Sequence, residues 1–179
     1  QSSKKYVLDG STDFPLFNAS QTRNRGGKDA FVAKLNAFGN SLIFSTYLGG
    51  SNTEVANAIA QDVSARIVVA GGTTSTDLPV LKSYQSTNRG GEDVFVARLT
   101  GTGAMDFVTY LGGSRDDRAK GMAVDPAGAI YLTGSTDSAN FPTSLPLQPS
   151  LAGAQDAFVT KLRVDGQGLS YSTYLGGSG

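Results

Sequence analysis

The chain has 179 residues, with 15 Lys plus Arg balanced by 15 Asp plus Glu. That length suffices for one domain with a core, and the missing basic excess speaks against a nucleic-acid partner. It has no Cys, His or Trp, which excludes disulfides, the usual zinc and copper sites, and Ser-His-Asp or Cys-His nucleophiles. No apolar run is long enough to cross a bilayer as a helix, and nothing predicts attraction to an anionic membrane surface.

In chain order, the first strand-like run is "YVLDG", ending at Gly10. A loop carrying "DFP" at Asp13 and "NRGGKD" at Asn24 to Asp29 leads to "DAFVAKL", the turn "NAFGN" and "STYLGGS" at Ser45 to Ser51. The middle unit repeats the order with one run more. "ANAIAQDV" (Ala56 to Val63) precedes "IVVAGG" (Ile67 to Gly72), a long loop with "DLP" at Asp77, "DVFVARL" (Asp93 to Leu99), and "DFVTYLGG" (Asp106 to Gly113). The third unit reads "KGMAVDP", "IYLTG", "NFP" at Asn140, "DAFVTKL" and "STYLGGS" at Ser172 to Ser178. Tyr47, Tyr110 and Tyr174 stand 63 and 64 residues apart, and Phe31, Phe95 and Phe158 stand 64 and 63 apart. Gly10, Gly71 and Gly134 keep the same order at intervals of 61 and 63.

Short β-branched and aromatic runs between Gly, Asn, Asp and Ser clusters predict strands and turns rather than helices. Runs such as "VFVARL" are apolar on both alternating faces, as in a sheet covered on both sides. An all-β fold of four-stranded antiparallel repeats of about 63 residues, stacked face to face, describes β-propeller blades; β-helix coils are far shorter. The expected organisation is a single partial propeller domain over residues 1–179, with units at about 1–55, 56–118 and 119–179. The first blade lacks its inner strand, so eleven strands divide three, four and four. Three blades do not close a ring, so the expected context is a larger propeller, completed by further blades of a longer chain or by further copies.

The elements "GMAVDPAGAIYLTGSTDSANFPT", "DAFVAKLN" and "STYLGGS" resemble the bacterial β-propeller repeat family called SBBP, over essentially the whole chain. The resemblance implies a propeller from a large secreted or cell-surface bacterial protein. It supplies no catalytic signature that maps onto these residues, and most members have no assigned activity.

No cofactor is expected and no catalytic residue stands out. Asp62 and Asp125, at the ends of the inner runs, are candidates for a ligand at a channel mouth, against the plainer role of forming turns. Arg25 and Arg89 in the "NRGG" loops could engage an anionic partner. Asp116 and Asp117, in the charged "SRDDRAKG" loop, are the only candidates for a hard cation, and lack EF-hand spacing. The matching "SNTEVANA" has Glu54 alone, so this feature looks unrepeated. Asp29, Asp93 and Asp156 read as caps for turn amides, and the three Tyr of "TYLGG" as filler between blades. The expected function is a non-catalytic binding or scaffolding module whose long loops contact a protein or a glycan, without nucleic acid or membrane insertion. The alternatives are a polysaccharide hydrolase or lyase using carboxylates at the channel mouth, and an architectural spacer or filament subunit assembling through blade edges.

Overall fold

The computed structural model describes residues 12–178, among which there are strands and turns but no helix. The strands fall in three antiparallel sheets. The first holds β1 (Ala30–Leu35) and β2 (Leu42–Leu48); the expected "YVLDG" strand lies outside the described residues. The second runs β3 (Glu54–Gln61), β4 (Ile67–Thr73), β5 (Asp93–Leu99) and β6 (Met105–Leu111), in that order. The third repeats it with β7 (Asp117–Val124), β8 (Ile130–Thr136), β9 (Asp156–Leu162) and β10 (Leu169–Leu175).

The apolar pattern explains the stacking. Every residue of β5 is buried, because alternate side chains enter different cores. Phe95, Ala97 and Leu99 pack with Ala30, Val32, Phe44 and Leu48 of the first sheet. Val94 and Val96 pack with Ala119, Ile130, Leu132 and Phe158 of the third. The middle sheet is therefore covered on both faces, as its unalternated sequence requires.

The inner strands begin earlier than their apolar runs suggest, at Glu54 and Asp117, which are both buried. Asp117 is thus a strand residue and not part of an exposed charged loop. Each inner hairpin carries a bulge, between Ala56 and Ala58 and between Ala119 and Gly121, which brings a backbone carbonyl over Gly71 and over Gly134.

The long loops do not hang free. Leu81 exchanges backbone hydrogen bonds with Val108, the Tyr110 N–H donates to the Gln85 carbonyl, and Ser144 exchanges bonds with Ser172. Phe17 does the same with Ser45. Each loop thus runs antiparallel along the outer strand and occupies the edge that an architectural role through blade edges would need.

Candidate functional site

The three loops align without a gap, sixteen residues separating Asp13 from Asp29, Asp77 from Asp93, and Asn140 from Asp156. Their side chains, with the "TYLGG" strands, build one recurring polar network. The Tyr110 hydroxyl accepts from the Leu78 N–H at 2.9 Å and donates to the Ser75 carbonyl at 2.9 Å. Tyr174 does the same with Phe141 (2.9 Å) and Ser138 (2.7 Å), and Tyr47 accepts from Phe14 N–H at 3.2 Å. Burial pushes the Tyr110 and Tyr174 hydroxyls above their ordinary pKa. The residue after Asp or Asn in "DFP", "DLP" and "NFP" packs on the strand Phe: ring centroids are 3.8 Å apart for Phe14 and Phe31, and 4.6 Å for Phe141 and Phe158.

Replacing Tyr110 by Phe would leave a buried N–H and a buried carbonyl with one partner fewer. We expect a loss of about 1–3 kcal/mol, read as a lower urea midpoint at unchanged slope. An unchanged midpoint would mean that this hydroxyl does not hold the loop.

Asp93 sits at the centre of the middle network. Its Oδ2 accepts from the Arg89 N–H (3.0 Å) and from Gln85 Nε2 (2.9 Å), while Gln85 Oε1 accepts from the Gly112 N–H at 3.1 Å. Asp29 with Gln21 and Arg25 repeats the arrangement, as does Asp156 with Gln148 and Ala152. The expected turn-capping role of the three Asp is therefore what the contacts show. The glutamine at each centre has no counterpart among the residues singled out from the sequence; its signal was an identical place in three ungapped loops.

The first glycine of each "YLGG" is dictated by these carboxyls. A Cβ on Gly112 would lie 2.6 Å from Asp93 Oδ1 and 2.9 Å from Asp117 Oδ2, and one on Gly49 would lie 2.7 Å from Asp29 Oδ1. Asp93 Oδ1 itself accepts no hydrogen bond from the described residues. The second glycine receives the next repeat: Cβ positions on Gly50 and Gly113 fall 2.5 Å from Asp77 Oδ1 and Asn140 Oδ1. Those oxygens accept from the Ser51 and Ser114 N–H groups at 2.8 Å each. The Gly-Gly pair is thus a seat for two side chains, beyond a simple strand exit.

Asp117 and Glu54 correspond across repeats. Asp117 Oδ2 accepts from Gly113 N–H at 2.6 Å, and Glu54 Oε2 from Gly50 N–H at 2.8 Å. The acidic position that looked unrepeated is therefore repeated, with Glu in one unit and Asp in the next. Asp116 points elsewhere, accepting from Glu92 N–H (3.0 Å) and Arg118 (2.7 Å). Asp116 and Asp117 do not converge on a cation. Among the described residues no group of three or more acidic side chains is placed to hold one.

Desolvation pushes the Asp93 carboxyl up to about 7, with the Asp117 charge adding to the rise. Asp117 and Asp29 are raised for the same leading reason.

The remaining candidates sit in separate places. Asp62 accepts from Ser64 N–H, Arg66 N–H (both 2.9 Å) and Arg66 Nε (2.6 Å). Burial works against its charge, but these bonds outweigh it and lower the pKa. Asp125 accepts from Ala129 N–H at 2.9 Å and Tyr131 hydroxyl at 3.2 Å, with Lys161 at 3.3 Å. The Ala129 bond leads in lowering its pKa. Each carboxylate closes its own turn. Arg25 and Arg89 offer only their backbone N–H groups to the network, and both residues are exposed.

These repeats define a class of protein. Residues 106–142 match the family model of SBBP, a beta-propeller repeat; the chain carries that repeat from Asp106 in β6 through Pro142 in the third loop. Among curated proteins it is similar to the regulatory protein FlaEY of Caulobacter vibrioides, with 26% identity over 164 residues, covering 90% of this chain. The matched region is 16% of that relative, so this chain spans about a sixth of its length.

Proposed function

We propose that the chain is a non-catalytic binding or scaffolding module, three blades of a β-propeller from a secreted or cell-surface bacterial protein. The observation that carries this reading is a division of labour among polar groups. Recurring ones are directed inward, at their own loop and strand or at the adjoining repeat, whereas the exposed side chains of the third loop differ from those of the first two, Ala152 standing where they have Arg25 and Arg89. The first loop presents Arg23 and Arg25, beside a pocket that they line with Asn24 and Asp77. The second presents Arg89. The third presents Leu145 and Leu147, 85% and 84% exposed. Rigid scaffolds with variable loops are a common basis of recognition.

Exposed Arg and Leu side chains suit a protein target, whereas a sugar site would lean on aromatic platforms and this chain has no Trp. The relative's description as a regulatory protein fits contact with another protein. Asp62 and Asp125, each held in its own turn, give little support to carboxylate catalysis. Propeller architecture is supported by the repeated sheets, by the repeat match, and by inner strands β3 and β7 lying side by side. Secretion or surface location rests on the motif resemblance.

The test is a binding screen of the immobilised chain against extracellular proteins and a glycan panel. We expect a protein hit that Arg25→Ala with Arg89→Ala, or Leu145→Ser with Leu147→Ser, weakens at least about ten-fold, since interface anchors of these types dominate affinity. Binding that ignores both double variants, or turnover of a polysaccharide, would contradict the proposal.

A further inference from the structure

We propose that the cleft between the first and second loops binds an acidic segment of a partner protein, with its carboxylates on Arg23 and Arg25 and a backbone N–H on Asp77. This inference rests on the proposed binding role and names the chemistry of the target. The observation behind it is that three charged side chains meet where the fold needs none of them.

The latch uses only the backbone of the two arginines. Gln21 Nε2 donates to the Arg23 carbonyl at 3.0 Å, and the Arg25 N–H donates to Asp29 at 3.1 Å. The second loop makes the same two bonds through Thr87 and Arg89, and the third through Ser150 and Ala152. Thr, Ser and Ala therefore suffice at these places, and neither guanidinium is a requirement of the loop. Nor is the charge of Asp77. Its Oδ1 accepts from the Ser51 N–H at 2.8 Å, and the uncharged Asn140 takes the matching bond from the Ser114 N–H at the same distance.

These surplus charges converge. Arg23, Arg25 and Asp77 line one open cleft of about 440 Å³ together with Asn24, within the roughly 300–1,000 Å³ of ligand sites. Its walls come from two successive loops, a junction internal to the chain and wholly among the described residues. Arg66, Arg98 and Arg118 are each ion-paired. The Arg23 and Arg25 side chains have no hydrogen-bond or ion-pair partner among the described residues, and both are exposed. The Ser51 N–H and hydroxyl lead in holding the Asp77 carboxyl below its ordinary pKa, and the Arg25 charge adds to the fall. Both Ser51 bonds go to Oδ1, and Oδ2 accepts from no other described residue. At the next junction Thr87, Arg89 and Asn140 hold these places, so one cation remains and the acid is gone.

The three groups specify the ligand. A guanidinium matches a carboxylate with two parallel N–H donors. Two of them call for two carboxylates, and the Asp77 oxygen between loops calls for a hydrogen-bond donor. An acidic peptide offers both, since its backbone N–H groups alternate with its side chains. A polymer charged on every unit would meet repulsion from Asp77, and such a repulsive element is a means of selecting one partner over another.

The test is fluorescence polarisation of the whole chain with labelled Gly/Ser peptides that carry a pair of Glu at several spacings, against the same peptides with Gln. The best Glu peptide should bind at least about ten-fold more tightly than its Gln counterpart. Raising NaCl from about 0.1 M to 1 M, which shortens the screening length from about 10 Å to 3 Å, should remove the difference. Arg23→Thr with Arg25→Ala borrows its residues from the other two loops. It should lose at least about ten-fold in affinity at an unchanged melting temperature. Asp77→Asn keeps the Ser51 contact, as Asn140 keeps that of Ser114; it should weaken the peptide and strengthen oligogalacturonate, a polymer with a carboxylate on every unit. Glu peptides that bind no better than Gln ones, affinity that the arginine double variant leaves unchanged, an Asp77→Asn variant that alters neither ligand, or a wild type that prefers oligogalacturonate would each overturn the inference. Capture of a protein through Leu145 and Leu147 alone would overturn it too, while the binding role itself would stand.

Discussion

Replacing Gly71 by Ala should destabilise the protein by more than about 3 kcal/mol, beyond the usual cost of an overpacked core. A Cβ on Gly71 would fall inside the contact distance of the Val55 carbonyl oxygen and 2.7 Å from Ala56 Cα. Both are backbone atoms of the paired strand, so no side chain can swing aside. The close approach is built in by the bulge between Ala56 and Ala58, the point where β3 shifts register on β4. Gly134 meets the Arg118 carbonyl and Ala119 Cα in the same way at the next bulge. The bond network cannot be relieved without unpairing the inner strand, whose buried Ala56 belongs to the first core. A domain of this size loses roughly 2–4 °C of melting temperature per kcal/mol. Calorimetry should therefore show a fall of about 6–12 °C for Gly71→Ala, and a similar one for Gly134→Ala. A fall below about 2 °C would mean that the bulge relaxes freely.

The second large effect is on pH dependence. The folded Asp93 carboxyl keeps its proton up to about pH 7, whereas the unfolded one releases it near its ordinary value of 3.8. Between those values folding takes up a proton, so stability is fullest below the unfolded pKa and falls as pH rises toward 7. The full shift corresponds to a few kcal/mol at about 1.4 kcal/mol per unit. Asp29 and Asp117 act in the same direction. Asp62, Asp77 and Asp116 are shifted down; their contributions are present above the ordinary carboxylate value of 3.8 and are lost below it, so the two sets together leave stability greatest near that value. Asp93→Asn keeps one oxygen for Arg89 N–H and Gln85 Nε2, and places an uncharged amide beside Asp117. Urea midpoints measured from pH 5 to 8 should fall by a few kcal/mol equivalents in the wild type and much less in the variant. Parallel curves would show that Asp93 does not carry the dependence.

The period and most strands were legible because each depends on local pattern. Apolar runs with turn residues between them mark β4, β5 and β9 almost to the residue. The starts of β3 and β7 were not legible. Glu54 and Asp117 are acids at the head of a strand, and acids there read as loop until their N–H donors on Gly50 and Gly113 are seen. The equivalence of Glu54 with Asp117 was hidden by their different lengths, although both reach the second glycine. Gln21, Gln85 and Gln148 escaped notice because a glutamine in a polar loop reads as solvated; only the fixed interval to the following Asp betrays them. The loops themselves looked free for binding, because nothing in their composition announces that they pair with the outer strand.

The central claim is that "TYLGG", the apolar loop residue (Phe14, Leu78 or Phe141) and the strand Asp form one latch that makes the long loop part of the core. Native-state hydrogen exchange at the Leu78 and Phe141 amides tests it most directly. Both donate to buried tyrosine hydroxyls, at 2.9 Å each. The account predicts protection comparable to that of the β5 amides, opening only with global unfolding. Exchange as fast as that of an exposed loop amide such as Thr76 would contradict it.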